Sequence, residues 1–359
     1  MQTNNKNIRK LPFLSCIVTC YNLQNYIEEA LLCVINQDYI GPMEIIVVDD
    51  ASTDNSLNII NSILSKIPNN IILKTIVHKT NLGVAAAYNS AIRECSGEWL
   101  ICFDGDDLFP LDRCSKTAEL IMLYPDSYMI MSCIELINKD GETIGYQSFD
   151  GRKVDTIDEL PSTAYYSTIM DRFYIACDFT PLKINSFAGV SAYRRCVHTR
   201  FGDLPEELRC AQDPSMAFRS VLTGPVIGGG FIACKYRSHA NNATARIFNT
   251  DISGVYEMEL YWTEKEKMNI ANTISKISDL DKSLYISDFS EEMKCKIRCI
   301  FFKKLSSIKL RTGWWYKNVF QRTLYLIINW RSVDKITRKW ALQRLLPLRI
   351  FSWLKANFF

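Results

Sequence analysis

The 359-residue sequence predicts an α/β fold: a doubly wound, mostly parallel sheet with helices on both faces, followed by a helical, basic C-terminal extension. Three observations carry that expectation. Strand-like and helix-like apolar periods alternate through the first hundred residues, the strand-like runs end in clustered polar residues, and charge is divided sharply along the chain.

Leu14 to Thr19 reads as a buried strand, and Ile27, Ala30, Leu31, Val34 and Ile35 then recur on one helix face. Ile45 to Val48 is a β-branched run bounded by Gly41-Pro42 and by acids. Leu57, Ile60 and Leu64 restore the helical period, with Ser52, Asp54 and Asn55 as caps. Ile71 to Val77 makes a third strand, Val84 to Arg93 a third helix, and Trp99 to Phe103 a fourth strand. Four strands joined by three helical crossovers form a doubly wound sheet. Beyond Pro110 the pattern is mixed, with a hairpin-like Asn138-Lys-Asp-Gly141, loops over 150–185, a Gly/Pro turn over 224–230, a short strand Phe231 to Tyr236 and a polar helix from Val255 to Lys282.

A hydrophobic share of 48% and a charged share of 23% exclude disordered, collagenous and low-complexity classes. The net charge of +3 conceals a division: residues 293–359 carry 16 Lys and Arg against one acid, Asp334, so this tail is +15 and the rest of the chain −12. The 13 cysteines are scattered through apolar stretches without zinc-site spacing, as expected of reduced thiols in a cytosolic protein. Met1 to Lys10 is polar, and no uncharged stretch reaches the roughly 18 residues of a spanning helix, so neither a signal peptide nor a membrane crossing is expected.

In an open parallel sheet, ligands bind beyond the carboxyl ends of the strands. Those ends carry Thr19-Cys-Tyr21-Asn22, Asp49-Asp50-Ala-Ser52-Thr-Asp54, Asn81-Leu-Gly83 and Asp104-Gly-Asp106-Asp107. Each alone is explained by a helix cap or a solvated turn; together they fall on one edge of one sheet. Three carboxylates within four residues repel one another unless a cation sits among them, and an all-oxygen set favours Mg²⁺ or Mn²⁺ shared with phosphate oxygens. Tyr21 offers a ring face to a base, and Asp50 an acceptor to an imide N–H.

These segments, with Asn81-Leu-Gly83-Val-Ala-Ala-Ala87-Tyr-Asn89, Gly189-Val-Ser-Ala-Tyr-Arg194-Arg195, Gln212-Asp213 and Tyr236-Arg237-Ser-His239, resemble family 2 glycosyltransferases of the GT-A, Rossmann-like fold over roughly residues 12–245. The resemblance implies a nucleotide diphosphate sugar donor, a UDP-sugar, used with Mn²⁺ or Mg²⁺ in an inverting transfer to a hydroxyl of a glycan or lipid-linked acceptor. It assigns Thr19, Tyr21, Asn22, Asp49, Asp50, Asn81, Gly83, Asn89, Asp104, Arg237 and His239 to the nucleotide and diphosphate, Asp104, Asp106 and His239 to the metal, and Asp213 to the catalytic base. His78 and His198 have no comparable case. Capping of the helix that starts at Pro214 is the competing reading of Asp213. Gln212 stands where the family has a second acid, which leaves open a catalytically impaired, donor-binding scaffold.

The expected organisation is a polar segment (1–11), a nucleotide-sugar-binding half (12–107), an acceptor-binding and catalytic half (108–247), a helical connector (248–292) and the basic amphipathic tail (293–359). Five of the seven tryptophans, Trp314, Trp315, Trp330, Trp340 and Trp353, are interleaved with the tail's basic residues, as in helices that lie in an anionic membrane surface. Packing on protein is the alternative; nucleic-acid binding has no recognisable module to support it. The family implies bacterial cell-surface polysaccharide, lipopolysaccharide or glycoprotein synthesis, in the cytoplasm and peripheral on the inner face of its membrane.

Overall fold

The computed structural model describes residues 10–64, 72–177, 191–208, 212–239, 242, 255–283, 288–314, 329, 330, 332, 337 and 338. It divides into two compact units, Met1–Phe248 with Lys282–Phe289, and Asn249–Asp281 with Ser290–Phe359.

The first unit holds a sheet built from β1 (Leu14–Cys20), β2 (Met43–Asp49), β3 (Ile72–Val77), β4 (Trp99–Asp104), β5 (Met129–Ile137), β6 (Thr143–Gln147), β7 (Lys153–Val154), β8 (Tyr165–Tyr166), β9 (Ser191–Arg194) and β10 (Val226–Arg237). The order along its main path is β3-β2-β1-β4-β9-β5-β10-β8, with β6 and β7 paired beside β5. The first four strands are mutually parallel, as their crossovers demand: α1 (Ile27–Ile35), α2 (Ser56–Leu64) and α3 (Val84–Glu94) each return the chain to the same end of the sheet. β9 then enters antiparallel between β4 and β5, so one sheet continues across the expected 107/108 boundary.

Alternation along β1, β2 and β4 sorts the core by face. Leu14, Cys16, Val18, Ile45, Val47, Trp99, Ile101 and Phe103 pack with Ile27, Leu31 and Val34 of α1 and with Cys114 and Ala118 of α4 (Arg113–Leu123). On the other face lies α3, whose buried Ala85, Ala86, Ala87 and Ala91 allow close approach. The other α-helices among the described residues of this unit are α5 (Ile169–Ala176), α6 (Arg195–Phe201) and α7 (Gln212–Thr223).

Two expectations change. The 150–185 stretch is not all loop, since β7, β8 and α5 occupy part of it. The Gly/Pro turn is confined to Gly224-Pro225, because Gly228, Gly229 and Gly230 lie inside β10, where any Cβ would meet the Phe149 ring, Leu120 and the Pro161 carbonyl respectively. The glycines serve close packing, with a register shift in the β5 pairing at Gly228/Ile232.

The second unit contains α8 (Val255–Lys282) and α9 (Glu291–Trp314), joined by an Arg298–Asp281 ion pair of 2.5 Å. The 292/293 boundary drawn from charge falls inside α9. Most of the tail, including Trp315, Trp340 and Trp353, lies outside the described residues. Among the described residues no helix is long and apolar enough to cross a membrane, and the described cysteines are free thiols.

Candidate active site

The strand ends converge as expected, and the loops that carry them are tied together. Asn22, at the end of β1, adopts a left-handed φ of 54°, which Asn tolerates. Its backbone N–H donates to Ser52 Oγ at 3.0 Å, and its Oδ1 accepts from the Thr53 N–H at 2.8 Å. Leu23 N donates to Ser56 Oγ and Gln24 N to Asp54 Oδ2. Ser52 is thus a tie between the β1–α1 and β2–α2 loops, while Asp54 also accepts from the Ser56 N–H in the first turn of α2. Ala51 holds φ at 62°, a strain of about 1–2 kcal/mol for a residue with a Cβ.

Asp49 is fully buried; one oxygen accepts from Ser52 N–H and the other has no hydrogen-bond partner. Asp50 is held by three donors. Its Oδ1 accepts from Leu82 N at 3.0 Å and from His78 Nδ1 at 2.7 Å, and its Oδ2 from Gly83 N at 2.8 Å. Gly83, at φ 91°, precedes α3, so Asp50 also places a negative charge at that helix's N-terminus. Tyr21 is half-buried beside this pair, and Asn81 is exposed at the β3–α3 loop.

On β4, Thr19 Oγ1 reaches Asp104 Oδ1 at 3.4 Å. Burial and the neighbouring Asp106 charge push the Asp104 carboxyl up to about 7, against the opposing pull of Arg113 and Thr19. Arg113 is buried, donates to the Cys102 carbonyl and lies 4.2 Å from the Phe103 ring centroid. Asp107 is buried too; it accepts from Arg237 N–H at 2.8 Å, and burial with the Asp106 and Asp104 charges raises its carboxyl well above the usual range. It ties the acidic turn to β10.

Asp106 faces the end of β10. Its Oδ2 lies 3.2 Å from His239 Nε2 and 3.4 Å from Asn242 Nδ2, and the His239 ring stacks on Tyr26 at 4.6 Å. Arg237 is committed otherwise than expected: its guanidinium donates to Glu29 at 2.9 Å, to the Lys139 carbonyl at 3.1 Å and to the Asp106 carbonyl at 3.2 Å. It clamps α1, the β5–β6 turn and the acidic turn together.

Asp213 stands in the first turn of α7 and is 8% exposed. Register places Tyr193 of β9 beside Leu100 of β4, hence on the face that carries Cys102 and Asp104. Asp213 and Asp104 both raise the Tyr88 phenol, after burial and Cys102, and Asp213 also raises the Tyr193 phenol, where burial is the larger cause. Both carboxylates therefore lie close enough to these two buried phenols to act on them.

Asn89 does not join this group. Its Nδ2 donates to the Leu204 carbonyl and its Oδ1 accepts from Leu204 N–H, both at 2.8 Å, while His198 Nε2 lies 3.2 Å from the same Oδ1. That is a packing clamp, 4% exposed, rather than a ligand contact. Burial, then the Arg219 charge, lowers His198 to about 4, with Asp203 opposing. The unfolded chain therefore binds a proton between about pH 6.5 and 4 that the folded chain does not. Stability is expected to fall with pH across that window, by about 3 kcal/mol in total, and His198→Gln to flatten the loss. Urea midpoints at pH 7 and pH 4.5 check this; equal acid losses in both proteins would count against it.

Sequence reasoning set His78 aside and did not single out Tyr26, Glu29 or Arg113. The available signal was position: His78 follows β3 directly at the ligand-bearing edge. Among the described residues no three His, Cys, Asp or Glu side chains form a ready metal cage.

A mostly parallel sheet with an acid-bearing strand edge and a buried carboxylate on a facing helix has the architecture of the GT-A fold. Residues 15–188 match the family model described as glycosyl transferase family 2. An uncharacterized glycosyltransferase of Haemophilus influenzae is 33% identical over 112 residues, covering 31% of this chain and 43% of that protein. The putative teichuronic acid biosynthesis glycosyltransferase TuaG of Bacillus subtilis is 28% identical over 166 residues, 46% of this chain and 60% of its own. The chain thus spans less than two thirds of these relatives. Among solved structures, S. aureus TarS 1–349 in complex with UDP-GlcNAc superposes with a TM-score of 0.56 at 20% identity, covering 96% of this chain and 87% of that one. This likeness establishes the fold.

Proposed function

We propose that this protein transfers a sugar from a UDP-sugar to a hydroxyl of a glycan or lipid-linked acceptor, with inversion, in cell-surface polysaccharide assembly. The observation that carries the reading is that Asp104, at the acid-bearing end of β4, and Asp213, in the first turn of α7, both act on the buried Tyr88 and Tyr193 phenols, a donor-side carboxylate and a base candidate on the same side of the sheet. Tyr21 and Asp50 receive the base, and Thr19 and Asp104 orient the ribose and diphosphate side. Asp213 takes the acceptor proton as the hydroxyl attacks the anomeric carbon in line. The TarS complex with UDP-GlcNAc and the teichuronic acid relative support this class of donor and product.

The residues fit a divalent cation as a partial site. Asp106 and His239 lie 3.2 Å apart, and the Asp106 charge that adds to burial in raising Asp104 is the kind of repulsion a cation relieves. Two or three protein ligands suit Mn²⁺ or Mg²⁺, whose remaining positions go to water and phosphate oxygens. When bound, such an ion offsets charge on the departing diphosphate.

The test is a panel of UDP-, GDP- and dTDP-sugars with Mn²⁺, scoring thermal shift and slow release of nucleotide diphosphate to water. Stabilisation and release with UDP-sugars are expected. Binding without release would favour the scaffold reading that Gln212 leaves open, and no binding would reject the donor assignment. The basic tail is the proposed contact with an anionic membrane surface; flotation of the full chain with zwitterionic vesicles as well as with anionic ones would refute the charge dependence.

A further inference from the structure

We propose that Asp50, His78 and Ser90 form a relay that selects the nucleotide base, admitting a donor with a single imide N–H and rejecting guanine. The inference rests on the reading of Asp50 as the base acceptor and deepens it.

An ionised carboxylate offers about four lone-pair positions, two on each oxygen. Oδ1 of Asp50 is saturated by Leu82 N–H and His78 Nδ1–H, and Oδ2 holds Gly83 N–H, so one position on Oδ2 remains. Uracil and thymine present one N–H between two carbonyls and need one acceptor. Guanine presents two parallel N–H groups and needs one free position on each oxygen, which the His78 bond denies. The single vacancy therefore discriminates by count, and a guanine N–H left unpaired against a 4%-exposed carboxylate is costly.

His78 keeps the vacancy where it is. Its backbone N–H donates to the Asp49 carbonyl, extending the β2–β3 ladder by one residue, and its Nε2 meets Ser90 Oγ on α3 at 2.9 Å. The imidazole is thus gripped at both ring nitrogens, and since an ionised carboxylate can only accept, the Asp50 contact calls for the hydrogen on Nδ1. The spacing is also that of an activated serine. Ser90, however, stands mid-way along α3, where the surrounding backbone N–H groups are spent inside the helix and offer no oxyanion contact.

The experiment is calorimetric titration of UDP and GDP, each with Mn²⁺, into the full chain and its variants. The unsubstituted protein should bind UDP at least about tenfold more tightly than GDP. His78→Leu opens a second position on Oδ1, so UDP should weaken while GDP tightens, bringing the two within about threefold. His78→Asn, which restores an N–H donor, should recover most of the preference, and Ser90→Ala should lose part of it. A purely structural role would weaken both nucleotides in proportion, and that outcome overturns the relay. Equal UDP and GDP affinity in the unsubstituted protein overturns it as well, leaving the glycosyltransferase reading intact. Binding of neither nucleotide removes the donor reading and the relay together.

Discussion

Asp213→Asn is expected to lower sugar transfer about 10²–10⁴-fold, the range that a positioned general base contributes, while nucleotide binding changes little. The amide keeps the size and hydrogen-bonding outline of the carboxylate but cannot take the acceptor proton. The side chain sits in the first turn of α7, where a carboxylate also favours the helix electrostatically, so the substitution loses a few tenths of a kcal/mol to about 1 kcal/mol from the dipole alone. That small cost separates the two readings of Asp213. Because α7 begins at Gln212, Asp213 lies within its first turn rather than capping a helix at Pro214; a residue that serves only the helix dipole loses a little stability and keeps its rate, whereas a base loses its rate and keeps most of its stability. Transfer kinetics beside a urea midpoint resolve them, and an Asn variant with unchanged kcat removes Asp213 from the chemistry.

Asp106→Ala is expected to abolish metal-dependent binding of the donor, with a loss of at least about 100-fold in affinity for UDP in the presence of Mn²⁺. Asp106 is the one acid of the turn whose side-chain oxygen meets His239 and Asn242, whereas Asp107 is bound into β10 and Asp104 faces Thr19. The backbone contact from Arg237 goes to the Asp106 carbonyl and survives the substitution, so the turn should keep its path. Calorimetry with and without Mn²⁺ reads the effect; a variant that binds UDP as before, with the same response to the metal, would refute the assignment.

The parallel part of the fold was legible because each of its strands is short, apolar and followed by a helix with a clean period, as in Leu14–Cys20 and Ile27–Ile35. β9 was not, since four residues carry too little pattern and its pairing to both β4 and β5 is a long-range fact. Gly/Pro density also misjudged Gly228–Gly230, where the glycines are demanded by neighbours remote in sequence. The site divides in the same way. The acidic strand ends were visible because topology alone brings them to one edge. What each side chain does there depends on partners that no spacing reveals: Asn89 is spent on Leu204, Arg237 on Glu29, and Asp50 is shared between α3 and His78.

β9 has one more consequence, for the order in which the chain can become a protein. It is made from residues 191–194, yet it separates β4 from β5, which end at residues 104 and 137. In the folded sheet it supplies the hydrogen-bonding partner that β4 and β5 each lack toward the other. During synthesis β1 to β5 emerge before β9, so the sheet can be closed between β4 and β5 only after more than half of the polypeptide has been made.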